Sequence, residues 1–251
     1  MKPEYPSSEW IPQLKKLWHL GFGDSEDFID LFFSTAFSPD RCRVILLEGQ
    51  PVAAHYWLDV TCRNQKMAYL YAVVTHPDFR GQGLCRRLME DTHVLFRAQG
   101  YCAELLVPGE PGLRRMYAKM GYQNCGGIQE FACTATQPPV PLRRISREEY
   151  TLLRRTYLPE GGVLQEQENL AYLETFSKFY AGEDFLLTAL PEKDELFGVE
   201  LLGRADAAPG ILSALGYGRG RFRLPGDSPF AMYYPLTEDA LPPAYFGLAF
   251  D

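Results

Sequence analysis

The sequence predicts a mixed α/β fold: a mostly antiparallel sheet flanked by helices, followed by a second, smaller and reduced domain of the same kind. Three observations predict it. Residues 69–98 pass from an apolar, β-branched and aromatic run through a glycine-rich turn into a helical repeat. On either side of that stretch, segments with helical spacing and short strand-like runs follow one another in a regular order. Finally, Thr136-Gln137-Pro138-Pro139-Val140-Pro141 breaks every periodicity with three prolines in six residues, and a pattern of two helices and a meander starts again after it. The expected domains are therefore residues 1–135, a linker at 136–141, and residues 142–251.

Ser7 or Ser8 is placed to cap a helix whose face carries Trp10, Leu14, Leu17 and Trp18, ending at Gly21–Gly23. Asp24-Ser25 opens a second helix to about Phe37, with Phe28, Leu31 and Phe32 inward. Nothing before Ser7 is long enough for a strand. Cys42–Glu48 and Pro51–Val60 read as strands joined by a turn at Gly49, and Ala68–Thr75 completes an antiparallel meander that Pro77 closes. Leu84, Leu88, Thr92 and Leu95, with Met89 and Phe96, then recur at helical spacing from about Gly83. Cys102–Val107 is the next strand and Gly112–Met120 a helix ended by Gly121. Beyond the linker, Leu142–Ile145 is strand-like, Ser146–Tyr157 and Gln165–Ala181 are amphipathic helices, and Phe185–Leu190 and Leu196–Leu202 are strands. A short helix at Pro209–Leu215 and strands at Arg221–Leu224, Phe230–Pro235 and Tyr245–Phe250 finish the chain.

Composition narrows the function. The 251 residues carry a net charge of −7 without any Lys/Arg block, which argues against nucleic acid or an anionic membrane as partner and suits a cationic acceptor. No run of eighteen apolar residues occurs, and the N-terminus lacks the basic and apolar segments of a signal peptide, so a cytoplasmic location is expected. The six cysteines are scattered, with no paired spacing and no histidine at ligand distance, so neither a metal site nor a disulfide framework is expected.

The chemistry concentrates in the turn Phe79–Cys85. A strand leading through glycines into a helix N-terminus presents unpaired backbone N–H groups and the positive end of the helix dipole, an arrangement suited to a phosphate. The spacing is neither the Walker pattern nor the dinucleotide fingerprint. Instead Arg80-Gly81-Gln82-Gly83-Leu84-Cys85 resembles the pyrophosphate-binding motif of the GNAT superfamily of acyl-CoA-dependent N-acyltransferases: Gln or Arg, two residues, Gly, one residue, then Gly or Ala. Cys85 departs from the last position. The preceding Thr75-His76-Pro77-Asp78-Phe79-Arg80-Gly81 and the later Met116–Tyr122, MYAKMGY, resemble the family's strand end and its FYEKLGF-like segment, in the same order.

The resemblance implies a specific activity: direct attack of a primary amine on acetyl-CoA. The cosubstrate would lie against the backbone of Val73, Val74 and Thr75 and on the turn Arg80, Gly81, Gln82, Gly83, Leu84, Cys85 and Arg86, with Arg87 nearby. Tyr117 matches the family tyrosine that protonates the leaving thiolate; a phenol with its ordinary pKa of about 10 is protonated at neutral pH. For the base, Glu104 lies on the strand beside the site, and Tyr69, Tyr71 and His55 lie on strands that line acceptor pockets in the family. A non-catalytic acyl-CoA sensor and a structural interaction domain are the alternatives. In the second domain Pro209–Tyr217, PGILSALGY, echoes Pro111–Tyr122, PGLRRMYAKMGY, with Leu212 where the first has Tyr117. Gly216–Gly220 leads into a strand alternation and supplies no helix N-terminus. One cosubstrate site per chain is expected, with the second domain shaping the acceptor side or a homodimer contact.

Overall fold

The structure is a computed structural model and describes residues 2–250. The chain forms two compact units, the first made of residues 1–60, 64–123 and 233–241 and the second of residues 61–63, 124–232 and 242–251. The boundaries expected from sequence do not coincide with these. The proline stretch 136–141 lies inside the second unit, and Tyr233–Leu241 belongs to the first.

In the first unit, α1 (Ile11–Phe22) and α2 (Glu26–Thr35) precede strands β1 (Cys42–Leu47), β2 (Gln50–Cys62) and β3 (Gln65–Thr75). Ser25 caps α2 by accepting from the Phe28 amide. Arg63 and Asn64, both with positive φ, make the two-residue connection between β2 and β3. Then come α3 (Leu84–Ala98), β4 (Ala103–Leu106) and α4 (Pro111–Ala118). The strand order is β1-β2-β3-β4, with β1 and β2 antiparallel and β3 and β4 parallel. Tyr233–Leu241 joins through the Leu236 amide, which donates to Cys102 O at 2.7 Å. The first strand that sequence could not supply is reduced to a single antiparallel bridge between Glu4 and Val44.

The second unit repeats the order of elements. After β5 (Gln123–Thr134) and the two-residue β6 (Arg143–Arg144) come α5 (Arg147–Tyr157), α6 (Glu168–Glu174), β7 (Lys178–Ala181), β8 (Phe185–Pro191), β9 (Leu196–Gly203), α7 (Ala208–Leu215), β10 (Arg219–Pro225) and β11 (Ser228–Pro235). Its strand order is β11-β5-β10-β9-β8-β7-β6. Both units thus run through two helices, a meander, a helix, and a strand parallel to the last strand of the meander: β4 on β3, and β10 on β9.

Two expected elements differ. The helix expected over Gln165–Ala181 ends at Glu174, because Lys178–Ala181 pairs with Leu186–Ala189 of β8 and turns Phe179 and Ala181 inward. Its aromatic composition fits either period, and the neighbouring strand decides. Tyr245–Phe250 is not a strand. It is an apolar run tied down singly, by the Val163 amide to Tyr245 O at 2.8 Å and by Gln165 Nε2 to Leu248 O at 2.7 Å. Among the described residues no helix is long and apolar enough to cross a membrane.

Candidate functional site

The site is built where β3 leaves its neighbour. Parallel pairing with β4 covers Met67 to Tyr69, opposite Ala103 to Leu105, yet β3 continues to Thr75. Ala72 has φ of 49°, a left-handed conformation that costs a non-glycine residue about 1–2 kcal/mol. A left-handed residue there interrupts the regular extended geometry of the strand just past its pairing with β4. Beyond it Val73 and Thr75 are half-buried and Val74 is buried. Helix α1 closes on this end: a Cβ on Gly21 would stand 2.3 Å from Val74 Cγ2, so only glycine allows the approach.

After Thr75 the chain makes a 3-10 turn, Pro77–Phe79, in which the His76 side chain accepts from the Asp78 amide at 3.3 Å. Arg80 folds back and donates from Nε to Thr75 O at 3.2 Å. Gly81 (φ 77°) and Gly83 (φ 74°) are left-handed, and a Cβ on either would meet nothing within 4 Å. The turn is therefore glycine-built for its backbone conformation, and the space above it is open. Helix α3 starts there without a side-chain cap, its first bond running from the Arg87 amide to Gly83 O at 3.0 Å. The amides of Leu84, Cys85 and Arg86 precede that bond and have no partner within the helix. Leu84 and Leu88 anchor this end on Ile45, Val52 and Ala53, so the amides sit on a packed support. Arg86 is engaged elsewhere, with Lys119 O at 3.3 Å and Glu90 at 3.7 Å.

Tyr117 on α4 is 5 % exposed, and burial, then Cys85, then Glu104 raise its pKa above the ordinary value. The phenol is protonated throughout the physiological range. Burial, followed by the Glu104 charge, also pushes the Cys85 thiol up to about 11. Tyr117 and its ring neighbour Tyr122 meet edge to face at 5.4 Å.

The candidate bases are placed differently. Glu104 is wholly buried and bonded to His93, so its carboxylate touches no solvent from which an amine could arrive. His55 is also wholly buried, its Nε2 on Thr92 Oγ1 at 2.9 Å, and burial lowers its pKa to about 3. It is a neutral core histidine. Tyr69 and Tyr71 lie in an aromatic cluster, where Tyr71 meets Trp18 and Phe32 at 5.4 Å each. Sequence inspection missed His93. It falls on the buried stripe of α3 between Met89 and Phe96, so helical spacing alone assigns it to the core.

The end of β3 beyond its pairing with β4 thus leads directly into the uncapped, glycine-led start of α3. Residues 4–125 match the family model described as an acetyltransferase (GNAT) domain. In structure the chain is similar to a GCN5-related N-acetyltransferase from Kribbella flavida, at 17% identity and a TM-score of 0.73, covering 93% of this chain and 70% of that one. A GCN5-related N-acetyltransferase from Anabaena variabilis gives 18% and 0.70, with 94% and 73% covered. A tandem GNAT protein from the clavulanic acid biosynthesis pathway gives 12% and 0.57, with 95% and 99% covered. At these identities the likeness is one of fold, and it extends over both units. No curated protein matches the chain in sequence.

Proposed function

We propose that the first unit is an N-acetyltransferase that moves the acetyl group of acetyl-CoA directly to a primary amine. The observation that carries this is the continuity of the strand end Val73–Thr75 with the open cradle Gly81–Arg86. The cradle amides suit the pyrophosphate, and the strand end suits the pantetheine and the thioester carbonyl. The amine nitrogen attacks the carbonyl carbon, a C–N bond forms, and the C–S bond breaks. The departing thiolate takes the Tyr117 proton, and the proton that the nitrogen sheds on becoming an amide passes to water, from which the tyrosinate is reprotonated. Holding both substrates in one cleft supplies much of the rate, and proton donation adds about 10²–10⁴-fold.

The test is thiol release from acetyl-CoA with a panel of an aminoglycoside, a polyamine, an amino acid, a peptide N-terminus and a lysine peptide. At least one amine is expected to turn over. Tyr117→Phe keeps the ring and should lower kcat by roughly 10²-fold with little change in KM for acetyl-CoA. Wild-type kcat in that variant makes the tyrosine structural. CoA binding by calorimetry without thiol release for any amine would make the unit an acyl-CoA sensor.

A further inference from the structure

Glu104 stands in the middle of β4, in a strand whose other members are Ala103, Leu105 and Leu106. Oε1 meets His93 Nε2 at 2.8 Å, and Oε2 has no hydrogen-bond partner and no exposure. An unsatisfied buried carboxylate oxygen is costly, and an apolar residue of similar size would serve the core at least as well. His93 connects this carboxylate to an aromatic group. Its ring stacks on Tyr234 at 4.0 Å and 14°, and Nε2 lies 3.5 Å from the Tyr122 hydroxyl. Tyr122 packs on both Tyr234 and Tyr117 at 5.4 Å, and its amide donates to Tyr117 O at 3.1 Å.

We propose that His93 and Glu104 are a positioning pair that shares one proton, holds the Tyr122–Tyr234 seat of Tyr117, and keeps net negative charge away from the Tyr117 hydroxyl. The proposal rests on Tyr117 being the proton donor. With the shared proton the pair is neutral as a whole. Without it a carboxylate charge remains beside Tyr117 in a dry interior, and the phenol holds its own proton more tightly. Burial pushes the Glu104 carboxyl up, opposed by the His93 bond and charge and then by Arg97. The other groups facing the pair are Cys85 on α3, Tyr117 on α4, Tyr122, Tyr234, and His55 on β2, which is neutral. Arg97 is engaged with Leu236 O at 3.1 Å.

The experiment is the pH profile of kcat, by thiol release with the amine of the panel that turns over fastest, for wild type, Glu104→Gln, His93→Phe and Tyr117→Phe. Wild-type kcat should fall as pH rises through the titration of the pair, by at most about tenfold for each unit by which the Tyr117 pKa rises. Glu104→Gln has no proton to lose there, so the falling limb should vanish while KM for acetyl-CoA stays within about twofold. His93→Phe keeps the stack on Tyr234 and removes the bond and charge that most lower the Glu104 pKa, so the limb should move to higher pH. A Glu104→Gln profile identical to wild type overturns the proposal. Should that variant not fold, an unmoved limb in His93→Phe overturns it equally. Wild-type kcat in Tyr117→Phe would remove the catalytic reading itself, whereas a slow Tyr117→Phe beside an unchanged Glu104→Gln removes the pair alone.

Discussion

The two strand–helix connections of this chain, β3 to α3 and β9 to α7, occupy equivalent places in their units and differ in what lies over the helix start. Eight residues, His76–Gly83, join the first pair, and the glycines within them face open space. Four residues, Arg204–Ala207, join the second, and they run as a 3-10 turn straight into α7. There the chain covers itself: a Cβ on Gly210 would stand 2.5 Å from Val140 Cγ1 and 3.0 Å from Pro138 O, and Ser213 Oγ donates to Gln137 O at 2.7 Å. Ala207 and Ala208 are buried, while Gly81, Gln82, Gly83, Arg86 and Arg87 are exposed. One topology therefore yields an open, uncapped helix start or a filled joint, depending on whether glycine and solvent, or proline-rich chain, occupy it.

The buried glutamates show the same contrast. Glu200 on β9 receives Arg154 Nε at 2.7 Å and Nη2 at 2.9 Å, Tyr150 at 2.8 Å and Tyr245 at 2.9 Å, so both its oxygens are satisfied. Glu104 has His93 alone. Glu200 is thus fully satisfied, whereas Glu104 leaves one buried oxygen without a partner.

Substitutions can break this contrast. The largest effect is expected from Glu200→Gln, which strands the wholly buried Arg154 charge and should cost about 3–5 kcal/mol in urea unfolding. Glu104→Gln should cost little by the same measurement. Its native carboxyl is raised by burial, so that group's stability is full below the ordinary carboxylate range and is lost as pH rises. The variant should therefore gain on wild type as pH climbs above about 4.3. Equal losses in the two variants would erase the distinction between the glutamates.

A smaller effect separates the glycines. Gly203→Ala puts a Cβ 2.3 Å from Asp184 O at φ 86° and should destabilise the second unit by more than the roughly 1–2 kcal/mol of the backbone term. Gly83→Ala meets no atom and should cost only that backbone term, while weakening CoA binding several-fold in calorimetry. Unchanged CoA affinity there would mean that the cradle is not the phosphate site.

Sequence made much of the first unit's fold legible, because the strand and the glycines of the turn signal through composition and spacing that tertiary packing does not alter. The Pro-Gly to Gly-Tyr echo was legible as well: Tyr122 N bonds Tyr117 O at 3.1 Å, and Tyr217 N bonds Leu212 O at 2.9 Å, each past a left-handed glycine. Its topological meaning was not. Helix α7 stands between β9 and its parallel partner β10, the place of α3 rather than of α4, which only strand pairing reveals. Strand β7 and the irregular Tyr245–Phe250 were hidden for the same reason, since their conformation is set by partners distant in sequence. His93 did not stand out because a polar side chain on a buried stripe has the spacing of a core residue.

The open connection is expected to bind the cosubstrate, and the filled one is not. Calorimetric titration of the full chain with CoA tests it most directly, run beside Gly83→Val, whose branched side chain would occupy the open space at φ 74°. One CoA per chain is expected for wild type, and an affinity at least about tenfold weaker for the variant. Two CoA per chain, or an unweakened single site in Gly83→Val, would contradict it.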